Sequence, residues 1–210
     1  MRRATRRPAL PPSASAALAL GRGERVLAFA VDDNTGAYVV ATTWALAMLA
    51  SPAARQASDP ATEPVSEQTA RPAQPAARRP WHLVDAGVWQ HETSTLTVTW
   101  VDGMRPSQWT FRDQRTLLPE TLRERVQASV VLSTRLALGG RQTARVAIRQ
   151  DLANGELIPQ TVLGRGTRLR DPGVSDQIHA AMADLADQVG LPPQPATYPG
   201  DATMRGASGH

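Results

Sequence analysis

Residues Thr95 to Val101 alternate without a break, with Leu96, Val98 and Trp100 on one side and Thr95, Thr97 and Thr99 on the other. Successive side chains of a strand point to opposite faces, so this segment is a half-buried strand and not a surface helix. Asp102-Gly103 is a tight-turn signal, and Gln108–Phe111 continues beyond it. The period then lengthens. Leu118, Leu122, Val126 and Val130 recur every four residues, with Glu120, Arg123, Glu124 and Arg125 between them. Pro119 suits the first turn, and the pattern predicts an amphipathic helix over 119–133. A run of strands followed by a helix gives an α+β class.

The same rules place the other elements. Val26–Val31 alternates, Asp32-Asp33-Asn34-Thr35-Gly36 turns, and Ala37–Thr43 returns as a second strand. Leu83–Trp89 is a third strand. After the helix come Thr134–Leu138, Ala144–Arg149 and Leu157–Leu163, with Asn154-Gly155 predicting a two-residue hairpin between the last two. Asp171 is expected to cap a final helix opened by Pro172, on which Val174, Ile178, Met182, Leu185 and Val189 form one stripe and after which Gly190 stops the chain. That stripe is expected to pack on the second set of strands.

Three segments have the composition of linkers. Ser51–Pro80 carries six prolines and eight alanines, with Val65 as its only large aliphatic residue. It cannot bury enough surface to offset its ordering entropy. Residues 1–21 form a basic arm and residues 191–210 a tail opened by Pro192 and Pro193. The expected organisation is therefore a disordered arm (1–21), a first unit (22–133) with a disordered insertion (51–80), a hairpin–helix unit (134–190) and a disordered tail (191–210).

Charge separates along these lines. All 23 basic residues are arginine. Residues 1–25 hold six of them (Arg2, Arg3, Arg6, Arg7, Arg22, Arg25) against Glu24 alone, whereas residues 26–210 hold 17 arginines against 18 acidic residues. A fold built to neutralise many phosphates would carry its excess charge on the fold. The longest apolar run, Ala37 to Ala50, has 14 residues, short of the roughly 20 that a spanning helix needs. The small-residue stretch 13–20 behind the arginines is a poor export signal. With no cysteine to form disulfides or thiolate sites, a cytoplasmic location is expected.

Gly23-Glu24-Arg25-Val26-Leu27 opens the first strand, Thr42-Thr43-Trp44-Ala45-Leu46 lies late in the second, Pro80-Trp81-His82-Leu83-Val84 opens the third, and the helix over 119–133 ends the unit. In these features residues 22–133 resemble the bacterial PH-like and GRAM-like domains. The resemblance implies a curved antiparallel sheet, or roll, closed by a C-terminal helix. Such domains often carry an arginine just before the leucine of the second-strand motif, where this chain has Ala45. The whole chain, with its arginine-only basic residues, is similar to an actinobacterial protein family of the same two-part layout, and that similarity implies no activity. The fold hosts lipid binding, peptide binding and scaffolding alike.

Candidate sites are few. His82, Asp85, His91 and Glu92 are the one cluster with metal-ligand or acid–base chemistry, but the ends of a seven-residue strand stand roughly 20 Å apart. Gly21-Arg22-Gly23 and Gly164-Arg165-Gly166 lack the lysine and the strand–loop–helix setting of a phosphate loop. No Gly-x-Ser-x-Gly elbow occurs. Trp44, Trp81, Trp89, Trp100 and Trp109 all fall in the first unit and are expected to fill its interior. Trp81, directly after the insertion, is the one expected to be partly exposed. Arg145 and Arg149 alternate with Val146 and Ile148, so with Arg141, and Arg135 nearby, they are expected to form a basic stripe on the outer face of the second set of strands.

The reading that follows is a non-enzymatic interaction module, without cofactor or metal, whose binding surface is Arg145, Arg149, Arg141 and Trp81 and whose partner is a protein. Two alternatives stay open: anionic lipid or nucleic-acid binding through the arginine-rich arm, and a metal-dependent hydrolase using His82, Asp85 and His91.

Overall fold

The computed structural model describes residues 9–50 and 77–192. The chain is α+β, with three antiparallel sheets and three helices among these residues. A first sheet runs in the order β1 (Val26–Val31), β2 (Tyr38–Thr42), β3 (Ala45–Leu49), β4 (Ala77–Pro80). A turn of 3-10 helix, Trp81–Leu83, leads into a second sheet of β5 (Val84–Gln90), β6 (Thr95–Trp100) and β7 (Ser107–Thr110). Helix α2 (Leu118–Ala128) is followed by a third sheet in which β9 (Thr143–Gln150) lies between β8 (Val130–Ala137) and β10 (Leu157–Leu163). Helix α1 (Pro12–Leu18) precedes the first sheet and α3 (Val174–Gln188) ends the described chain.

The apolar run 37–50 is two strands, where the sequence predicted one. Thr42 breaks it: its hydroxyl accepts the N–H groups of Trp44 (3.2 Å) and Ala45 (2.9 Å) and donates to the Glu24 carboxylate. These side-chain bonds tie the tight reversal between β2 and β3. The run does not alternate because both faces of the sheet are covered. Ala28, Ala30, Val39, Ala41 and Leu46 face the main core, while Val40, Ala47 and Leu49 face Leu18 of α1. Residues 12–18 thus correct the expectation of a disordered arm over 1–21. Leu18 is fully buried, and Arg78 donates to the carbonyls of Leu18 (2.9 Å) and Ala19 (3.3 Å) while pairing with Glu24. The rest of that expectation, over residues 1–8, lies outside the described residues. Strand β4 likewise replaces the last four residues of the expected insertion, whose residues 51–76 lie outside the description, as do residues 193–210 of the tail.

The main core lies between the first two sheets and under α2. Small residues of the first sheet, Ala28, Ala30 and Ala41, share this core with the large side chains of Trp81, Trp100, Trp109 and Phe111. The alternation of β6 holds as read, with Leu96, Val98 and Trp100 inside. The end of β7 is stitched to the β1–β2 turn, where the Asp32 carboxylate accepts the Thr110 N–H (2.8 Å) and the Asp33 N–H donates to the Thr110 carbonyl (2.9 Å). Leu118 and Leu122 of α2 are buried in this core. Gly87 lets the helix settle onto β5, since a Cβ there would stand 2.3 Å from Leu122 Cδ2.

Helix α2 is shorter than the expected 119–133. It ends at Ala128, and Val130 and Ser133 belong to β8. Val130 and Val131 are β-branched and exposed, at home in a strand edge. One face of the third sheet buries Ala144, Val146 and Ile148 against Val174, Ile178 and Leu185 of α3, the packing anticipated for that helix. Two details differ. Gly173, with φ of 71°, holds the N-cap position of α3, while the Asp171 carboxylate accepts from Gln142 and the Arg168 N–H instead. The β9–β10 connection is a wider loop closed by Asp151 and Glu156, with the Asp151 N–H donating to the Glu156 carbonyl (2.8 Å).

Candidate binding surface

Strand β9 gives its second face to arginine. Arg145, Ala147 and Arg149 alternate with the residues that face α3, and β5 of the second sheet reaches this face through the Asp85 carboxylate and the Val84 carbonyl. The two arginines meet different fates. Arg149 is 2% exposed, which corrects its placement on a solvated outer stripe. Its guanidinium donates to the carbonyls of Trp81 (2.8 Å) and Val84 (3.2 Å) and, from Nε, to the Ser129 hydroxyl (3.1 Å). Among the described residues no carboxylate stands within ion-pairing distance of it. Burial, and then the charge of Arg145, lower its pKa to about 10, so it stays protonated at neutral pH.

Trp81 is the second correction. It was expected to be partly exposed and is fully buried, its indole N–H donating to the Thr42 carbonyl (3.0 Å). The 3-10 turn folds its ring beneath the first sheet, because an aromatic next to a strand end gains more from the core than from water. Trp81 and Arg149 therefore belong to one internal contact that joins the third sheet to the rest of the molecule.

Arg145 and Arg141 stay at the surface, Arg145 partly and Arg141 fully. Arg141 lies in the β8–β9 connection, held by the Leu138 N–H to Gln142 carbonyl bond (3.0 Å). Arg145 pairs with Asp85 of β5. Directly opposite Arg145 on β8 is Arg135, and opposite it on β10 is Val162. These residues line an open groove of about 380 Å³ with Asp85, Thr143 and Gly164 along its walls. Gly164 and Thr143 close on each other, the Gly164 N–H donating to the Thr143 carbonyl (2.7 Å), and a Cβ on Gly164 would stand 2.8 Å from that carbonyl oxygen. Two arginines thus stand opposite each other on adjacent strands, and Asp85 pairs with one of them, Arg145. The sequence shows the arginines. It does not show that Asp85 pairs with one of them, because that pairing depends on which strand of another sheet lies alongside.

His82, Asp85, His91 and Glu92 are not brought together. His82 is buried at one end of β5, where its Nδ1 has no hydrogen-bond partner among the described residues, and Asp85 faces Arg145. His91 is exposed in the turn beyond the other end and accepts the Trp89 indole N–H at Nδ1 (3.0 Å). No group of three metal-ligating side chains forms among the described residues. The His82 pKa is lowered, first by burial, with Asp151 and Glu156 opposing and the Arg149 charge adding to the effect. Four of the arginines of the basic arm, Arg2, Arg3, Arg6 and Arg7, lie outside the described residues. No described helix is long and apolar enough to cross a membrane. Comparison of the chain with protein-family models, with curated proteins and with solved structures finds no match.

Proposed function

We propose that the chain is a non-enzymatic interaction module that engages a partner protein in the cytoplasm through the outer face of the third sheet. The observation that carries this reading is the open groove in which Arg135 and Arg145 stand opposite each other, Arg145 paired with Asp85 and Arg135 with no carboxylate among the described residues. Arginine is the basic residue best suited to such a surface, because its planar fork forms paired hydrogen bonds with acidic groups. The first two sheets and α2 serve as the frame. A PH-like roll is our reading of that frame, supported by the single core that both sheets share with Leu118 and Leu122. Arg141 extends the surface at the hairpin end, and Arg149 and Trp81 hold it in place from beneath.

The test is site-specific photocrosslinking in the native cell, with benzoylphenylalanine replacing Ala137 on the groove or Val88 on the exposed side of the second sheet. A partner adduct from position 137, absent from position 88 and lost in Arg135→Glu, supports the reading. No adduct from 137, or the same adducts from both positions, overturns it.

A further inference from the structure

We infer that the groove is a receptor for a single carboxylate, carried on an acidic side chain of a partner's peptide segment. The inference rests on the interaction reading above and names what the surface recognises. Directly opposed residues of an antiparallel pair have Cα atoms about 5 Å apart, and like charges so placed repel. Arg135 and Arg145 are such a pair. Asp85 reaches Arg145 from β5, whereas among the described residues no carboxylate pairs with Arg135. The groove holds two fixed positive charges and one negative, and a monoanion placed between the guanidinium groups balances it.

That balance separates carboxylate from phosphate. A dianionic phosphate would bring one charge more than the groove can offset and set it in the field of Asp85. A carboxylate between two guanidinium groups accepts from both, in the geometry that makes such hydrogen bonds short and strong. The volume, about 380 Å³, exceeds a carboxylate alone. Ala137 and Val162 flank the arginines, an apolar lining for the methylene groups of a glutamate or aspartate. The groove is open along its length and lies on a sheet face, so a peptide backbone can pass over it while one side chain enters.

Nuclear magnetic resonance of the full chain tests this, following the side-chain Nε–H signals of Arg135 and Arg145. The probes are acetylated, amidated Ala-Ala-Glu-Ala-Ala, its glutamine counterpart and its phosphoserine counterpart. The expected result is saturable shifts with the glutamate peptide, at least tenfold weaker binding of the glutamine peptide, and weaker binding of the phosphoserine peptide. Arg135→Gln, an exposed position, is expected to weaken the glutamate peptide at least fivefold, and Arg123→Gln, an exposed position on α2 outside the groove, to leave it unchanged. Equal binding of glutamate and glutamine, tighter binding of phosphoserine, or no saturable shift overturns the inference. Either of the first two, with the position-137 adduct retained, overturns the carboxylate assignment alone. Loss of the adduct overturns the broader reading.

Discussion

Arg149 is a buried cation held only by neutral acceptors, and its replacement tests what joins the third sheet to the tryptophan-bearing part of the molecule. In Arg149→Met the apolar stem is kept and the guanidinium removed. The Trp81 carbonyl still receives the Val84 N–H, and the Ser129 hydroxyl still donates to the Val126 carbonyl (2.7 Å). The chief loss is the hydrogen bond to the Val84 carbonyl, together with the second partners of the other two groups. A buried acceptor left unsatisfied costs about 1–3 kcal/mol, and relief from desolvating the guanidinium offsets part of the sum. The expected destabilisation is about 2 kcal/mol, or a fall in Tm of about 4–8 °C for a chain of this size. Arg149→Lys is expected to cost at least as much. It keeps a buried charge, but one ammonium group cannot reach acceptors arranged for a planar fork. All five tryptophans lie between positions 44 and 109, so tryptophan fluorescence in a urea titration reports the first two sheets, and ellipticity at 222 nm adds α3. Coincident transitions in the native chain should separate in Arg149→Met. A lysine variant as stable as the native protein, or a methionine variant with coincident transitions and no loss of stability, would refute the idea that the guanidinium couples the two parts.

Two further outcomes follow from the same contacts. The neutral form of His82 is favoured in the folded chain, so the unfolded chain binds a proton more readily. Stability should then decline as pH falls below about 6.5, the ordinary histidine value, and through the lowered folded value. Thermal melts of His82→Asn between pH 5 and 8 should show a flatter profile than the native chain. Gly87→Ala forces its new methyl against Leu122 and should cost about 1–3 kcal/mol in a denaturant titration, with the Leu122→Ala background absorbing most of that penalty.

The class of fold was legible because β6 and α3 carry unambiguous periods. Leu96, Val98 and Trp100 are inside, and Val174, Ile178 and Leu185 face the third sheet. Elements whose limits depend on tertiary partners were not legible. Val130 fits the four-residue spacing of α2, yet the helix ends two residues earlier because Val130 pairs with Arg149 across to β9. The break at Thr42 was invisible for a similar reason. Its hydroxyl is committed to Glu24, 18 residues away, which is itself held by Arg78 of a strand beyond residue 76. At the candidate surface, alternation correctly put Arg145 and Arg149 on one face. It could not say that the neighbouring sheet covers one and leaves the other open, since that is a property of how sheets meet and not of any local pattern.

Strands β3 and β4 are hydrogen-bonded neighbours, with Met48 opposite Ala77. Whatever chain connects them must leave and re-enter the molecule about 5 Å apart. Closing such an excursion becomes only about 0.6 kcal/mol harder for each doubling of its length. The fold therefore has a doorway at this edge where natural variation in length, or an inserted reporter domain with adjacent termini, can be accommodated while the strands on either side keep their register.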